Sequence, residues 1–325
     1  MKVMFLPLNY GNILQKGASE AFVSAGANLQ VFDYFAVYNK KRFDSRMVQQ
    51  ELLREVENFQ PDLLHLQIQH TNIIDWKTIS VIKKRWPKIR ISNWTGDVRT
   101  YVPKSYKAIA QFSDFNFISS TGQIKMFENE IGRPVLYWQI GFDPKLYKPD
   151  VKTPSEFEFD TMFIANNTNK ESYPGRIERE LTCKLLQQSF GNRFAMYGSG
   201  WGPGIKSRGS VDQKKLANDY HKSLSSISVN HFNEINHYFS DRLLLCMACG
   251  RPVISLVFPK WEAYFTNNCD LIMVNSVKEI PEKVKFLKKN RDFAEYVGRM
   301  GAKKVYAEHT YLSRINELLH IVGLK

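Results

Sequence analysis

The chain has 325 residues, 43% of them hydrophobic and 13% aromatic, with a formal net charge of +13. That is apolar material for two domains of ordinary size and too much for a disordered chain, and no window approaches about eighteen uninterrupted apolar residues, so no spanning helix is expected. Cys183, Cys246, Cys249 and Cys269 make no disulfide framework in so long a chain, which suits a reducing cytoplasm, while the basic excess suits phosphorylated ligands, anionic membrane faces or nucleic acid.

The N-terminus "MKVMFLPLNYGN" reads as a first strand, because its apolar run is too short for a signal peptide before Pro7, Asn9 and Asn12. "ILQKGASEAFVSAG" has helical spacing and stops at Gly26, "NLQVFDYF" reads as a second strand, and "DSRMVQQELLREVENF" as a helix opened by an Asp cap. "PDLLHLQI" is a third strand and "IDWKTISVIKKRW" a third helix, stopped before Pro87. "IRISNWT", "FNFISS" and "VLYWQIG" supply further short buried strands. Between the first two of these, "VRTYVPKSYKAIA" has a helical reading with Asp97 as its N-cap or as a turn former.

The alternation breaks at "DPKLYKPDVKTPSEFEF", where prolines and charges give a linker, and then restarts. "FDTMFIAN", "RFAMYGSG", "LSSISVNHF", "PVISLVF" and "LIMVNS" are strands; "GRIERELTCKLLQQSF", "DQKKLANDYHKS" and "SDRLLLCMACG" are the helices between them. "VKEIPEKVKFLKKN", "RDFAEYVGRMGAKKVYAEH" and "TYLSRINELLHIVG" close the chain as helices. The fold class is therefore α/β: two doubly wound, Rossmann-like domains facing a cleft, with ligands expected at the carboxyl ends of the strands. The boundaries expected are residues 1–150 and 155–309.

From residue 158 to about 320 the order of motifs resembles the nucleotide-binding domain of GT-B glycosyltransferases, in the group 1 branch that includes spore-maturation-like enzymes. The stretches that carry it are "FDTMFIANN", "RFAMYGSGW", "YHKSLSSISVN", "SDRLLLCMACGRPVIS", Glu262 in "KWEAYF" and the tail "VGRMGAKKVYAEHTYLSRINELL". The resemblance implies an acceptor-binding first domain, a nucleotide-sugar-binding second domain, and a C-terminal helix, 310–325, that packs back on the first. It implies a nucleotide diphosphate sugar as co-substrate, a UDP-sugar in the first instance, and no other cofactor.

A donor of that kind carries a pyrophosphate, which favours helix N-termini, free backbone N–H groups and a cation. Asn166 and Asn167 follow a strand, and Gly198, Ser199 and Gly200 form a second glycine-rich strand end. Asn230 ends a third, and Ser240 and Asp241 read as caps of a helix with Arg242 in its first turn. These residues and Glu262 are the expected donor site; for Arg242 a salt bridge to Asp241 or another acid is the alternative to a phosphate contact. Where many relatives keep a ribose-binding glutamate this chain has Leu245, and eight residues earlier it has His237. Ribose recognition would then fall to other groups, Glu262 among them.

In the first domain Asp97 and His70 are the candidate catalytic bases, each near a strand end, and Asn9, Gly11 and Arg99 are candidate acceptor contacts. No second cysteine pair or histidine follows Cys246 and Cys249 at zinc spacing, so both read as packing, and no metal is expected. Three functions fit: a sugar transferase acting on a hydroxyl, a sugar-nucleotide epimerase, or a non-catalytic sugar-nucleotide-binding module. The stretch from Lys83 to Lys107, with Trp86, Trp94, Tyr101 and Tyr106 interleaved among its cations, extends the acceptor choice. It allows a hydroxymethylated base in DNA or an anionic envelope or lipid surface, besides small molecules and proteins.

Overall fold

The computed structural model describes residues 1–8, 15–68, 72–150, 156–168 and 172–325. The chain divides into two compact units, Met1–Gly141 with Tyr311–Lys325, and Phe142–Thr310.

The first unit is built on a parallel six-stranded sheet of β1 (Lys2–Leu6), β2 (Asn28–Val31), β3 (Leu63–Leu66), β4 (Arg90–Thr95), β5 (Phe115–Ile118) and β6 (Leu136–Tyr137), in the order β2-β1-β3-β4-β5-β6. Parallel pairing demands crossovers, supplied by α1 (Lys16–Ser24), α2 (Tyr34–Lys40), α3 (Ser45–Phe59), α4 (Trp76–Arg85), α5 (Lys104–Ala110) and α6 (Ile124–Ile131). Strand alternation divides the core between the two faces. Met4, Leu6, Leu64 and Leu66 share a cluster with Val48, Leu52 and Ile79 from α3 and α4. Val3, Phe5 and Leu63 share another with Phe22 of α1. His65 points into this second cluster, its ring 5.3 Å from that of Phe5 and its Nδ1 2.8 Å from Ser92 Oγ.

Three expectations are corrected here. The second strand ends at Val31, because Asp33 accepts the Ala36 N–H at 3.0 Å and opens α2, a local bond that competes with extension. Asp97 caps no helix: α5 starts at Lys104, since Pro103 keeps the preceding residue out of the helical region. Between β5 and β6 lies α6, which ends on Gly132 at φ 66°.

The basic stretch from Lys83 to Lys107 does not form an aromatic-lined surface. Trp94 and Tyr106 are 5% and 3% exposed, inside the core, and only Tyr101, at 56%, stands well out into solvent. Lys83 pairs with Asp114 and Lys107 with Glu130, so part of the positive charge is matched in place.

The second unit carries a parallel five-stranded sheet of β7 (Thr161–Ile164), β8 (Phe194–Tyr197), β9 (Ser226–Ser228), β10 (Val253–Leu256) and β11 (Ile272–Val274), in the order β11-β10-β9-β7-β8. Its helices are α7 (Arg176–Phe190), α8 (Leu216–His221), α9 (Asp241–Ala248), α10 (Ile280–Lys289) and α11 (Arg291–Glu308). From Leu243 to Ala248 every residue of α9 is buried, as a helix apolar on all sides requires. Cys246 and Cys249 are free and buried within this stem, and burial pushes the Cys246 thiol up to about 12. They pack, as their setting among Leu and Met suggests.

The last helix, α12 (Tyr311–Ile321), belongs to the first unit and lies against α1. Ile315, Leu318 and Leu319 enter the cluster of Phe5 and Phe22, each worth roughly 1.5–3 kcal/mol of burial before ordering entropy is subtracted. Trp138 Nε1 donates to Arg314 O at 2.8 Å and fixes the helix along its length. No helix among the described residues is long and apolar enough to cross a membrane.

Candidate functional site

In the second unit the chain passes from β7 outward to β8 and then returns to the far side of β7 as β9. Such a reversal leaves a crevice outside the carboxyl ends of the strands. A cavity of about 270 Å³ lies there, bounded by Asn166 after β7, Gly198 after β8, Tyr220 of α8, and Asp241, Arg242 and Leu245 of α9.

The two strand-end loops are locked together by backbone and side-chain bonds. Asn167 N donates to Ser199 O at 2.8 Å, Ser199 N donates to Asn166 Oδ1 at 2.9 Å, and Trp201 Nε1 donates to Ala165 O at 3.0 Å. Gly198 and Gly200 have φ of 120° and 76°, and a Cβ on either would overlap the carbonyl oxygen of Ala165 or Asn167. Both glycines are therefore demanded by close backbone approach.

Arg242 sits in the first turn of α9, beside the positive end of the helix. Its Nε donates to Ile164 O at 2.5 Å and its Nη1 to Ser240 Oγ at 3.1 Å, and the guanidinium carbon lies 5.7 Å from the Phe163 ring centroid. Asp241 meets Arg242 through the backbone instead, its Oδ1 accepting the Arg242 N–H at 2.8 Å.

A second arginine, unforeseen from sequence, reinforces this one. Arg179 of α7 is 4% exposed; its Nε donates to Val229 O at 2.8 Å and its Nη1 to Asn166 O at 2.6 Å. The signal was there: Arg179 shares the buried stripe of α7 with Thr182, Cys183 and Leu186, where an unpaired cation would be costly. Burial, aided by the nearby Arg242 charge, holds the Arg179 guanidinium well below its usual range. Burial also brings His231 down to about 3, with Arg179 and Arg242 pushing the same way, so its imidazole is neutral at ordinary pH.

Polar groups at and near the cavity are incompletely matched among the described residues. Asn230 is 1% exposed, yet neither Oδ1 nor Nδ2 has a partner among the described residues. Its backbone, by contrast, is tied to Asn233 on both sides. Asn230 lies two residues past the end of β9 and is not among the residues that bound the cavity, whereas Gln213, which does line it, has a buried Oε1 in the same condition. Leu245 is an apolar wall, and Glu262, exposed in the turn after β10, is not among the residues that bound this cavity.

Of the expected donor residues, the structure thus brings Asn166, Gly198, Asp241 and Arg242 to one cavity and joins Asn167, Ser199 and Gly200 to its wall. In the first unit Asp97 and Arg99 form an ion pair at 2.9 Å in the loop after β4. Gln123 Nε2 donates to Arg99 O at 2.5 Å and Ser119 Oγ to Gly96 O at 2.7 Å, which fastens that loop to the neighbouring strand end. Asn9, Gly11 and His70 lie outside the described residues. Among the described residues no group of His, Cys, Asp and Glu is arranged to hold a metal ion.

Comparison with known proteins agrees with this fold. Residues 176–320 match the family described as Glycosyl transferase-like. No curated protein sequence matches the chain. Among solved structures, a glycosyltransferase from Rickettsia africae aligns with TM-score 0.66 at 12% identity, over 99% of this chain and 97% of its own. Sucrose-phosphate synthase from Thermosynechococcus elongatus aligns with TM-score 0.65 at 11% identity, over 99% and 98%. Anabaena HepE in complex with UDP-glucose aligns with TM-score 0.65 at 10% identity, over 99% of each chain. The chain therefore has the two-sheet GT-B fold of these glycosyltransferases, and its residues 176–320 match a glycosyl transferase-like family.

Proposed function

We propose that the protein transfers a glycosyl group from a nucleotide diphosphate sugar, a UDP-sugar in the first instance, to a hydroxyl acceptor. The observation that carries this reading is the pair Arg179 and Arg242 beside the N-terminus of α9, with the amide of Asn230, unpartnered among the described residues, past the neighbouring strand end. Departure of the nucleoside diphosphate builds negative charge, and fixed guanidiniums with a helix N-terminus stabilise that charge without reorganising. Arg242, the more accessible of the two, is the proposed diphosphate contact; Arg179 sets the loop that carries Asn166. The match of HepE in its UDP-glucose complex supports the choice of nucleotide. Four free cysteines fit a protein that draws its donor from the cytoplasm.

Leu245 occupies the wall where the resembling enzymes keep a ribose-binding carboxylate, so we assign the ribose hydroxyls to Gln213 and Asp241, both on the same cavity. Asp97 is the proposed base for the acceptor hydroxyl, with Arg99 holding its carboxylate in place. Burial of Trp94 and Tyr106 removes the aromatic ladder on which a nucleic-acid acceptor would stack, which favours a non-DNA hydroxyl.

The test is a thermal-shift screen of nucleotide sugars on the wild-type chain and on Arg242→Ala, because a ligand bound only to the folded state raises its melting temperature. A UDP-sugar should stabilise the wild type clearly more than the variant at equal concentration. Absence of any shift with every UDP-sugar would overturn the reading.

A further inference from the structure

The second unit holds another, larger cavity, of about 680 Å³, at the opposite end of α9 from the site described above. Asp241, Arg242 and Leu245 of α9 face the first cavity, whereas Cys249, Gly250 and Arg251, just beyond its last turn, line the second. Eight helical residues separate the two mouths by about 12 Å.

One wall is a face of α11, along which Arg291, Ala294, Arg299, Ala302 and Tyr306 recur at helical spacing. Gly298 allows α11 to touch the end of α9, since a Cβ there would overlap the Gly250 carbonyl oxygen. The floor is apolar, made by Phe157, Leu224 and Pro252, with Pro149 at the side.

Its charge is unusual for an apolar cavity. Arg251 is 5% exposed and its buried Nε has no hydrogen-bond partner among the described residues. Its Nη2 binds the Asp150 carboxylate and the His221 carbonyl oxygen. Asp150 is already shared, because its Oδ1 lies 2.9 Å from His221 Nδ1. Arg291 approaches the same Phe157 ring as Arg251, their guanidinium carbons 4.5 and 4.7 Å from its centroid. Two guanidiniums are thus held on one ring, with Lys148, Arg299 and Lys303 also lining the cavity, and its acidic lining residues among those described are Asp150 and Glu295. An apolar floor, converging cations and a buried donor with no acceptor among the described residues together describe a place for an anionic head on an apolar body.

We propose that this second cavity binds a small organic phosphomonoester, its phosphate against Arg251, Arg291 and Lys148 and its apolar body against Leu224, Pro149 and Pro252. The volume admits a body of nucleoside or short isoprenoid size. The inference is independent of the donor reading, since it shares no side chain with the first cavity.

Calorimetric titration of the full chain with geranyl phosphate, UMP and inorganic phosphate tests it. At least one of the two esters should bind saturably, about tenfold or more tighter than inorganic phosphate. Arg291→Ala should weaken that ester about tenfold; Lys148→Ala should weaken it in the same direction and serves if Arg291→Ala fails to fold. Arg242→Ala should leave it unchanged, which separates this cavity from the donor site. Preference for geranyl phosphate identifies an isoprenoid ester, and preference for UMP a nucleotide. Three results would each overturn the proposal: no binding of either ester, inorganic phosphate binding as tightly as both, or an affinity insensitive to Arg291 and Lys148 but lost with Arg242.

Discussion

Arg179 and Arg242 grip the same strand exit from two helices: Arg179 Nη1 donates to Asn166 O at 2.6 Å and Arg242 Nε to Ile164 O at 2.5 Å. One of them is sealed in the core and the other is half-buried at the cavity. Like charges so close repel, and the separate backbone carbonyls that each of them binds are what hold them in place.

The two should separate in mutation. Arg242→Ala is expected to weaken UDP-sugar binding about tenfold or more with little change in melting temperature. Arg179→Ala should instead cost roughly 2–4 kcal/mol of stability, because the Val229 and Asn166 carbonyls lose a charged donor in a buried setting. Urea unfolding and ligand titration of both variants check this. Arg179→Lys should not rescue stability, because an ammonium cannot span the two carbonyls as a planar fork does.

The glycines at the end of β8 offer a backbone test. Gly198→Ala and Gly200→Ala should each destabilise by several kcal/mol, through left-handed φ and overlap with the β7 exit loop. Gly26→Ala, at φ +89° but with open space around it, should cost only about 1 kcal/mol. Equal losses at all three positions would mean that φ alone, and not the approach of the two loops, decides the cost.

How much of this was legible beforehand differs by element. The parallel architecture was, because runs such as Leu63–Leu66 and Val253–Leu256, apolar but for His65 and Ser255, are buried throughout and alternate with helical periods. The position of Arg242 followed from a cap-and-arginine head before an apolar helix. Arg179 was missed, although an arginine in a buried helical stripe is a visible anomaly. Gln213 and the cavity below α9 were not legible, since both depend on residues that only tertiary packing brings together. Asp33 misled for a local reason: a side-chain bond to Ala36 turned an apparent strand into a helix start.

Acid should weaken the fold through its buried histidines. Burial lowers His65 to about 3 in the folded chain, against an unfolded value of about 6.5. The unfolded state therefore takes up the proton first, so this contribution is complete above pH ~6.5 and is lost as pH falls toward the folded value. The loss should approach about 1.4 kcal/mol per pH unit below pH ~6. His231 shifts in the same direction and adds to the slope. Measured unfolding free energies between pH 7 and 5 should show this, and His65→Leu should flatten the slope even if it lowers stability overall.

Asp97→Asn keeps the size of the side chain and removes its charge. It should leave UDP-sugar binding intact and lower acceptor-dependent transfer about a hundredfold or more. Turnover of donor measured with and without acceptor distinguishes this from loss of donor binding. Unchanged transfer would remove Asp97 from the mechanism.

The second unit begins and ends side by side: Phe142 and Thr310 form a parallel bridge, and Phe142 N donates to His309 O at 3.1 Å. It is in effect an insertion of roughly 170 residues between β6 and α12 of the first. For an unfolded chain of that length, bringing α12 back to α1 costs on the order of 4–5 kcal/mol in loop-closure entropy. Once the inserted unit has folded, its paired ends reduce that loop to a short one. The order of folding is then biased: the second unit, which is continuous in sequence, forms first and acts as the clamp through which the discontinuous first unit is completed.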